Sequence, residues 1–324
     1  MSELALIERI ASRTATHPGT SLGIGDDAAI LDLGGRAVVT HDMLVEGVHF
    51  RLSTTDPQDL GAKAVAVNLS DLAAMGVEPV AVIVGLGLPR EFAARGGADA
   101  LSAGIEAMAR RHGVTVAGGD ITLCPALVIG ITAIGRPVAG VEPLRRSGAR
   151  PGDLLCVTGA LGASAAGLSL LEDPALLPCL GARGDLVSAH RRPEPRVSAG
   201  QALASGGAHA MLDISDGLVL DAGRLARASG VRCRIDLPRI PLAEGVADVA
   251  IALDREPREM AATAGEAYEL LAAVPPGYLD TLRAALEVPL TVVGDVAPGD
   301  PGVDLRDTAG RPVRVESPGW EHDV

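Results

Sequence analysis

The chain has 324 residues, 48% hydrophobic and 21% charged, a composition that supports a sizeable buried core and excludes global disorder. Its formal net charge of −13 disfavours nucleic acid or an anionic membrane as the main partner. The length suggests two domains or one large α/β unit.

In chain order, MSELALIERIASR (1–13) reads as an amphipathic helix with Ser2 as a possible N-cap. Apolar runs rich in Val and Ile predict strands over 36–40, 80–88, 114–117, 126–134, 154–158, 210–214, 270–274 and 290–293. Helical patterns fall over 57–75, 91–112, 163–171, 196–204, 217–229 and 278–286, several with end signals such as Asp56-Pro57, Gly76 and Gly113. Segments 174–195 and 298–318 read as loop-rich, and the charged, Gly- and Pro-containing stretch RRSGARPGD (145–153) suggests a boundary. The alternation is α/β (α+β). The uncharged run at 121–135 is too short and too interrupted by glycine to span a membrane, so a cytoplasmic protein is expected. Cys124, Cys156, Cys179 and Cys233 lack CxxC spacing and read as reduced, apolar residues.

Carboxylates recur at the ends of apolar segments. GIGDDAAI carries Asp26 and Asp27, VVTHD ends on Asp42, AVNLSD on Asp71, VTVAGGD on Asp120, and AMLDISDG carries Asp213 and Asp216. Strand ends are where α/β proteins build ligand sites. Asp71 instead falls in a helical segment, sharing a face with Asn68 and Met75. One such Asp is most simply a turn or cap residue. Several that converge would repel one another without a cation, and oxygen ligands with no His/Cys cluster point to Mg²⁺ or Mn²⁺. Mg²⁺ held this way usually accompanies substrate phosphates, hence a nucleotide. Yet GALGASAAG (159–167) lacks the lysine of a P-loop, and no dinucleotide fingerprint, HRD/DFG set or GxSxG is present.

The ordered set GIGDDAAIL, THDMLVEGVHF, KAVAVNLSDLAAMG, GGDIT, RSGARPGD, DISDGL and GEAYEL resembles the thiamine-monophosphate kinase family. Its superfamily includes aminoimidazole ribonucleotide synthetase, selenophosphate synthetase and the hydrogenase maturation dehydratase. The resemblance spans nearly the whole chain. It implies an N-terminal ATP/Mg-binding domain (1–148) that dimerises through a shared β-barrel, and a C-terminal α/β domain (149–324) that completes the substrate site. The implied reaction transfers the ATP γ-phosphoryl group to thiamine monophosphate, giving thiamine diphosphate. By motif, Asp27, Asp42, Asp71, Asp120, Asp213 and Asp216 would ligate several Mg²⁺ ions, with Thr40 and His41 at an adjoining metal-contact position. Gly119, Asp120, Arg146 and Ser215 would contact ATP, and His49, Glu266 and Trp320 the thiamine moiety. The chain departs from the pattern at His41, Ala264, Ala267 and in its GWEHDV terminus. A sister ATP-dependent enzyme or a silent nucleotide-binding paralogue stays open as an alternative.

The chemistry suits such residues. A phosphate acceptor is already ionised near neutral pH and needs no general base. The barrier is repulsion between polyanions, which carboxylate-held cations relieve. Trp320, the single tryptophan, is either a tail anchor or a face for the cationic thiazolium. Lys63, the single lysine, is expected on a helix surface or an interface, with contact to a phosphate beside the site as the alternative.

Overall fold

The computed structural model describes residues 20–22, 26–32, 35–173, 176, 184–315 and 317–320. The expected N-terminal helix and Cys179 lie outside them. Two six-stranded sheets organise the rest.

The first sheet is built from β1 (Thr20–Leu22), β2 (Ala29–Asp32), β3 (Arg36–Val45), β4 (Glu78–Leu88), β5 (Thr115–Leu123) and β6 (Val128–Arg136), in the order β1-β2-β3-β6-β4-β5. All neighbours are antiparallel except β4 and β5, which are parallel and joined through helices α2 (Arg90–Ala94) and α3 (Gly97–Arg111). A parallel pair needs such a crossover. The predicted 91–112 helix is thus two, divided where Gly96 takes a left-handed φ of 78°.

α1 (Pro57–Ala74) starts at Asp56, whose carboxylate accepts the Asp59 N–H at 2.9 Å, with Pro57 at the first helical position. Nearly every residue of α1 is buried, because it lies between the two sheets. It packs on β3, β6 and α3 on one side, and on β8 and α6 of the second half on the other. A side chain at Gly104 would meet the Gln58 carbonyl at 1.9 Å, so only glycine lets α3 approach α1 this closely. Among the described residues, Met43 and Ile83 are exposed on the opposite face of the sheet, and Val116, Ile121 and Leu123 are exposed along the edge strand β5, beyond the cover of the helices.

The second sheet runs β12-β9-β11-β7-β10-β8, from β7 (Leu154–Thr158), β8 (Ala210–Asp213), β9 (Arg232–Asp236), β10 (Leu270–Val274), β11 (Leu290–Ala297) and β12 (Gly302–Arg306). Its helices are α4 (Ala163–Glu172), α5 (Gly184–Arg191), α6 (Val197–Ser205), α7 (Leu218–Ser229), α8 (Val246–Ala252), α9 (Pro257–Thr263) and α10 (Leu279–Ala285). One face packs on α7, and the other joins the C-terminal end of α1 through Ala73 and Ala74.

The expected mixed α/β class and most long elements are present. Corrections fall where the patterns are short or charged. The 174–195 segment contains α5, and 298–318 contains β12. β9 (RCRID) alternates arginine with core residues and has no continuous apolar run, so the sequence pattern does not mark it as a strand. Cys156 and Cys233 are buried, as expected for apolar cysteines, and Cys124 is half-buried.

Candidate active site

Among the described residues, β2 pairs with β3 only as far as Val39. Beyond that point the β3 edge is completed by polar side chains. The Asp42 N–H donates to Asn68 Oδ1 at 3.1 Å, and Asn68 Nδ2 donates to the Ala64 carbonyl at 3.0 Å. The Thr40 hydroxyl donates to Asp71 Oδ2 at 2.6 Å and lies 3.2 Å from the Asp27 carbonyl. Asp213, closing β8, accepts from the Ser70 hydroxyl at 2.7 Å. Thus α1, with Asn68, Ser70 and Asp71, is the element on which both halves converge.

Carboxylate oxygens of Asp27, Asp71 and Asp213 lie within 4.8 Å of one another. Burial raises the Asp71 and Asp213 carboxyls well above their ordinary range. Charges on Asp42, Asp213 and Asp27 add to the effect at Asp71, and the charge on Asp27 adds at Asp213. Asp42 is pushed up to about 6 by burial, with His41 opposing and Asp216 adding. The balancing charge is Arg146, which grips Asp27 with two bonds, Nε at 2.9 Å and Nη2 at 2.8 Å. Burial disfavours that guanidinium, but Asp27 and Asp26 hold it more firmly charged than usual. Asp26 accepts the backbone N–H groups of Asp27 (2.9 Å) and Arg146 (3.2 Å), and burial together with Asp27 raises it to about 6. Three clustered carboxylates facing one guanidinium form an all-oxygen donor set that fits a hard divalent cation.

The other predicted stations do not join this three-carboxylate cluster. Asp216 pairs with Arg224 at 2.5 Å rather than joining the cluster. Arg224 also holds Asp221, whose carboxylate accepts the N–H groups of Asp216 and Gly217 at 3.0 and 3.1 Å. His41 lies on the exposed side of β3, with Nδ1 2.9 Å from Thr132 Oγ1. Gly119 and Asp120 are on the exposed edge strand β5. Register aligns Asp120 with Gly85, Gly130 and Met43, so three strand spacings, roughly 14 Å, separate it from the β3 row. Gly119 is required there, because a Cβ would land 2.0 Å from the Val84 carbonyl.

A cavity of about 600 Å³ opens beside the cluster, with Asp42, Asp71, Asp213 and Asp216 in its wall. It is also lined by Ser215, Glu266, His49 and Trp320. The His49 and Trp320 rings meet edge to face, centroids 6.2 Å apart. His49 Nδ1 accepts the Val45 N–H at 3.1 Å, and the Trp320 N–H of the backbone donates to the Asp216 carbonyl at 3.0 Å. The Ser215 carbonyl accepts the Glu266 N–H at 2.6 Å.

Lys63 corrects an expectation. It is buried, not on a helix surface, and its ammonium lies 2.5 Å from Glu266. Burial raises the Glu266 carboxyl, but Lys63 and His190 more than reverse this and lower it to about 2. Sequence reasoning also passed over Ser70, His190, Ser164 and Tyr268. Ser70 adjoins Asp71, and its polarity in an apolar helix was the available signal. Ser164 and His190 lie in ordinary helical contexts and Tyr268 in the loop before β10, and they reach the site only through folding. Tyr268 is buried with φ 51°, and burial together with the surrounding carboxylates raises its phenol.

Two family models match the chain: AIR synthase related protein, N-terminal domain, over residues 25–136, and AIR synthase related protein, C-terminal domain, over 150–305. The thiamine-monophosphate kinase of Mycobacterium tuberculosis is 41% identical over 308 residues, covering 91% of this chain and 88% of that protein. The thiamine-monophosphate kinase of Escherichia coli K12 is 37% identical over 331 residues, covering 99% and 98%. The solved structure of AaThiL complexed with AMPPCP and TMP superposes with a TM-score of 0.85 at 30% identity, covering 99% of this chain and 97% of that one. The chain belongs to the AIR synthase related family and, within it, to the thiamine-monophosphate kinases.

Proposed function

We propose that this chain phosphorylates thiamine monophosphate with ATP, yielding thiamine diphosphate and ADP. The observation that carries the reading is the Asp27–Asp71–Asp213 cluster, buried at Asp27 and Asp213 and half-buried at Asp71, beside a cavity that also holds Glu266, His49 and Trp320. The relatives' names and the AMPPCP and TMP complex of the structural neighbour supply the two substrates.

Asp27, Asp71 and Asp213, with Asp42 beside them, would hold Mg²⁺. Bound Mg²⁺ supplies neutralisation of the two polyanions and alignment for in-line transfer. The chain's residues position rather than react. Thr40 and Ser70 aim the Asp71 and Asp213 carboxylates, Asn68 fixes the backbone at Asp42, and Arg146 sets Asp27 while presenting positive charge to a nucleotide. The acceptor phosphate is its own nucleophile, so no general base is required. The Trp320 face suits a thiazolium cation, and His49 braces that wall.

Residues 1–148 are taken as the ATP/Mg-binding and dimerisation domain, and 149–324 as the domain completing the substrate site. Two copies would pair through the uncovered face and β5 edge, where Val116, Ile121 and Leu123 are exposed. Pairing would supply Gly119 and Asp120 with a role that their distance from Asp42 in one chain withholds. We take the enzyme to be cytoplasmic, where its substrate ATP is available. The test is purified protein with Mg·ATP and thiamine monophosphate, or free thiamine as control, with thiamine diphosphate followed by chromatography. Product from the monophosphate alone is expected. No product from folded, ATP-binding protein would overturn the reading in favour of a sister enzyme or a silent paralogue.

A further inference from the structure

Lys63 is the single lysine of the chain. Its side chain is 2% exposed. It projects from α1 two turns before Asp71, and Val67 between them also lines the cavity. Its Nζ lies 2.5 Å from Glu266 Oε1. The second oxygen, Oε2, lies 3.2 Å from His190 Nδ1, and that nitrogen is 3.1 Å from the Ser164 hydroxyl. A carboxylate only accepts, so the His190 contact requires the proton on Nδ1.

Glu266 is therefore gripped at both oxygens while 30% of its side chain stays open to the cavity wall. Its backbone is equally constrained. Its φ is 59°, a region few non-glycine residues occupy, and its N–H bonds the Ser215 carbonyl at 2.6 Å. A buried lysine needs a partner. This one balances the Glu266 charge, so Glu266 is not a net counter-ion for a cationic ligand. What it offers the cavity is the remaining lone pairs of its carboxylate, held in one place.

We propose that Lys63 is a positioning residue for acceptor specificity: it locks Glu266 as a charge-balanced hydrogen-bond acceptor in the cavity wall, selecting an acceptor whose ring carries an amino group. This rests on the function proposed above, since the pyrimidine of thiamine monophosphate bears such a group. A ring with an oxo group there would set two acceptors against each other, and an unmatched polar pair discriminates more strongly than a missing methylene.

The experiment compares thiamine monophosphate with its 4-oxo pyrimidine analogue in steady-state kinetics. The wild type is expected to favour the amino compound in kcat/KM by about a hundredfold or more. Lys63→Met should raise KM for the amino compound by about tenfold, leave kcat within about twofold, and reduce the preference to a few-fold. Lys63→Arg, keeping the charge, should restore most of the preference. The double change Lys63→Met with Glu266→Gln leaves no orphaned charge. Its amide N–H₂ can face the oxo group, so the preference should vanish or invert, which decides the matter should the single variant not fold. Thermal unfolding and Mg·ATP calorimetry on each variant separate misfolding from misplacement. Unchanged KM and preference in the folded variants, or a fall in kcat alone, would overturn the proposal and leave Lys63 a tie between the two halves. Failure of the wild type to convert thiamine monophosphate would instead strike the functional reading.

Discussion

Asp71 shows how a single residue can oppose folding and serve function. It is surrounded by Asp27, Asp42 and Asp213, and its carboxylate accepts a hydrogen bond from Thr40. Asp71→Asn removes a charge its neighbours repel, while the amide oxygen can still accept from Thr40. In metal-free buffer, melting is expected unchanged or about 1–3 °C higher. Turnover should be lost, and calorimetry should show divalent-cation affinity down about tenfold or more; Asp213→Asn should match it. Retained turnover and affinity in both would remove these residues from the ligand set. The pH response follows from the same charges. Asp26 and Asp42 are raised to about 6 and Asp221 to about 7, chiefly by burial. These values exceed the unfolded range near ~3.9, so the folded protein retains protons that the unfolded chain has released, and metal-free stability falls as pH rises from about 4 to about 7. Glu266 has the opposite sign: its lowered value stabilises above about pH 4.3, with loss only as pH falls toward 2. Scanning calorimetry with chelator should give a higher Tm at pH 5.5 than at pH 8, and Mg²⁺ should narrow the gap. A higher Tm at pH 8 in chelator would contradict the electrostatic account.

At the scale of elements, α1 decides the site. Its sequence, rich in Ala, Val and Leu, signals a buried helix, and Asn68 and Asp71 mark a polar face within it. The α1–α3 distance depends on Gly104, where a Cβ would collide with the Gln58 carbonyl. That atom is backbone and cannot rotate away. Gly104→Ala should therefore destabilise by about 1–3 kcal/mol in urea unfolding, despite the better helix propensity of alanine. Any outward movement of α1 displaces Ser70 and Asp71 together, so KM for Mg·ATP should rise as well. An alanine variant as stable as the parent would show that the helices have room to spare.

Over the whole molecule, the first sheet is covered on one face by α1 and α3 and exposes apolar residues on the other. The β5 edge, where Val116, Ile121 and Leu123 are exposed, is a surface a second copy can cover. Ile121→Asp should leave the fold intact by circular dichroism, shift the protein to monomer in sedimentation velocity and abolish turnover, because Asp120 is remote from Asp42 within one chain. A monomer with full activity would dismiss both the pairing and the role of Asp120.

The sequence by itself determined the class of the fold and the inventory of carboxylates. Periodicity, helix caps and turn residues are local, and GDDAAI, THD, NLSD and DISDG each placed an Asp at the end or on the face of a recognisable element. Only the tertiary structure decided which of them meet. Asp27, Asp71 and Asp213 come together because, among the described residues, β2 pairs with β3 only as far as Val39 and α1 lies between the sheets. Asp216 is taken by Arg224, and Asp120 stays on the far edge. Lys63 was the hardest to read. A lysine nearly two turns into a helix is ordinarily solvated, and its burial depends on Glu266, more than two hundred residues later, arriving from the second half of the chain to balance its charge.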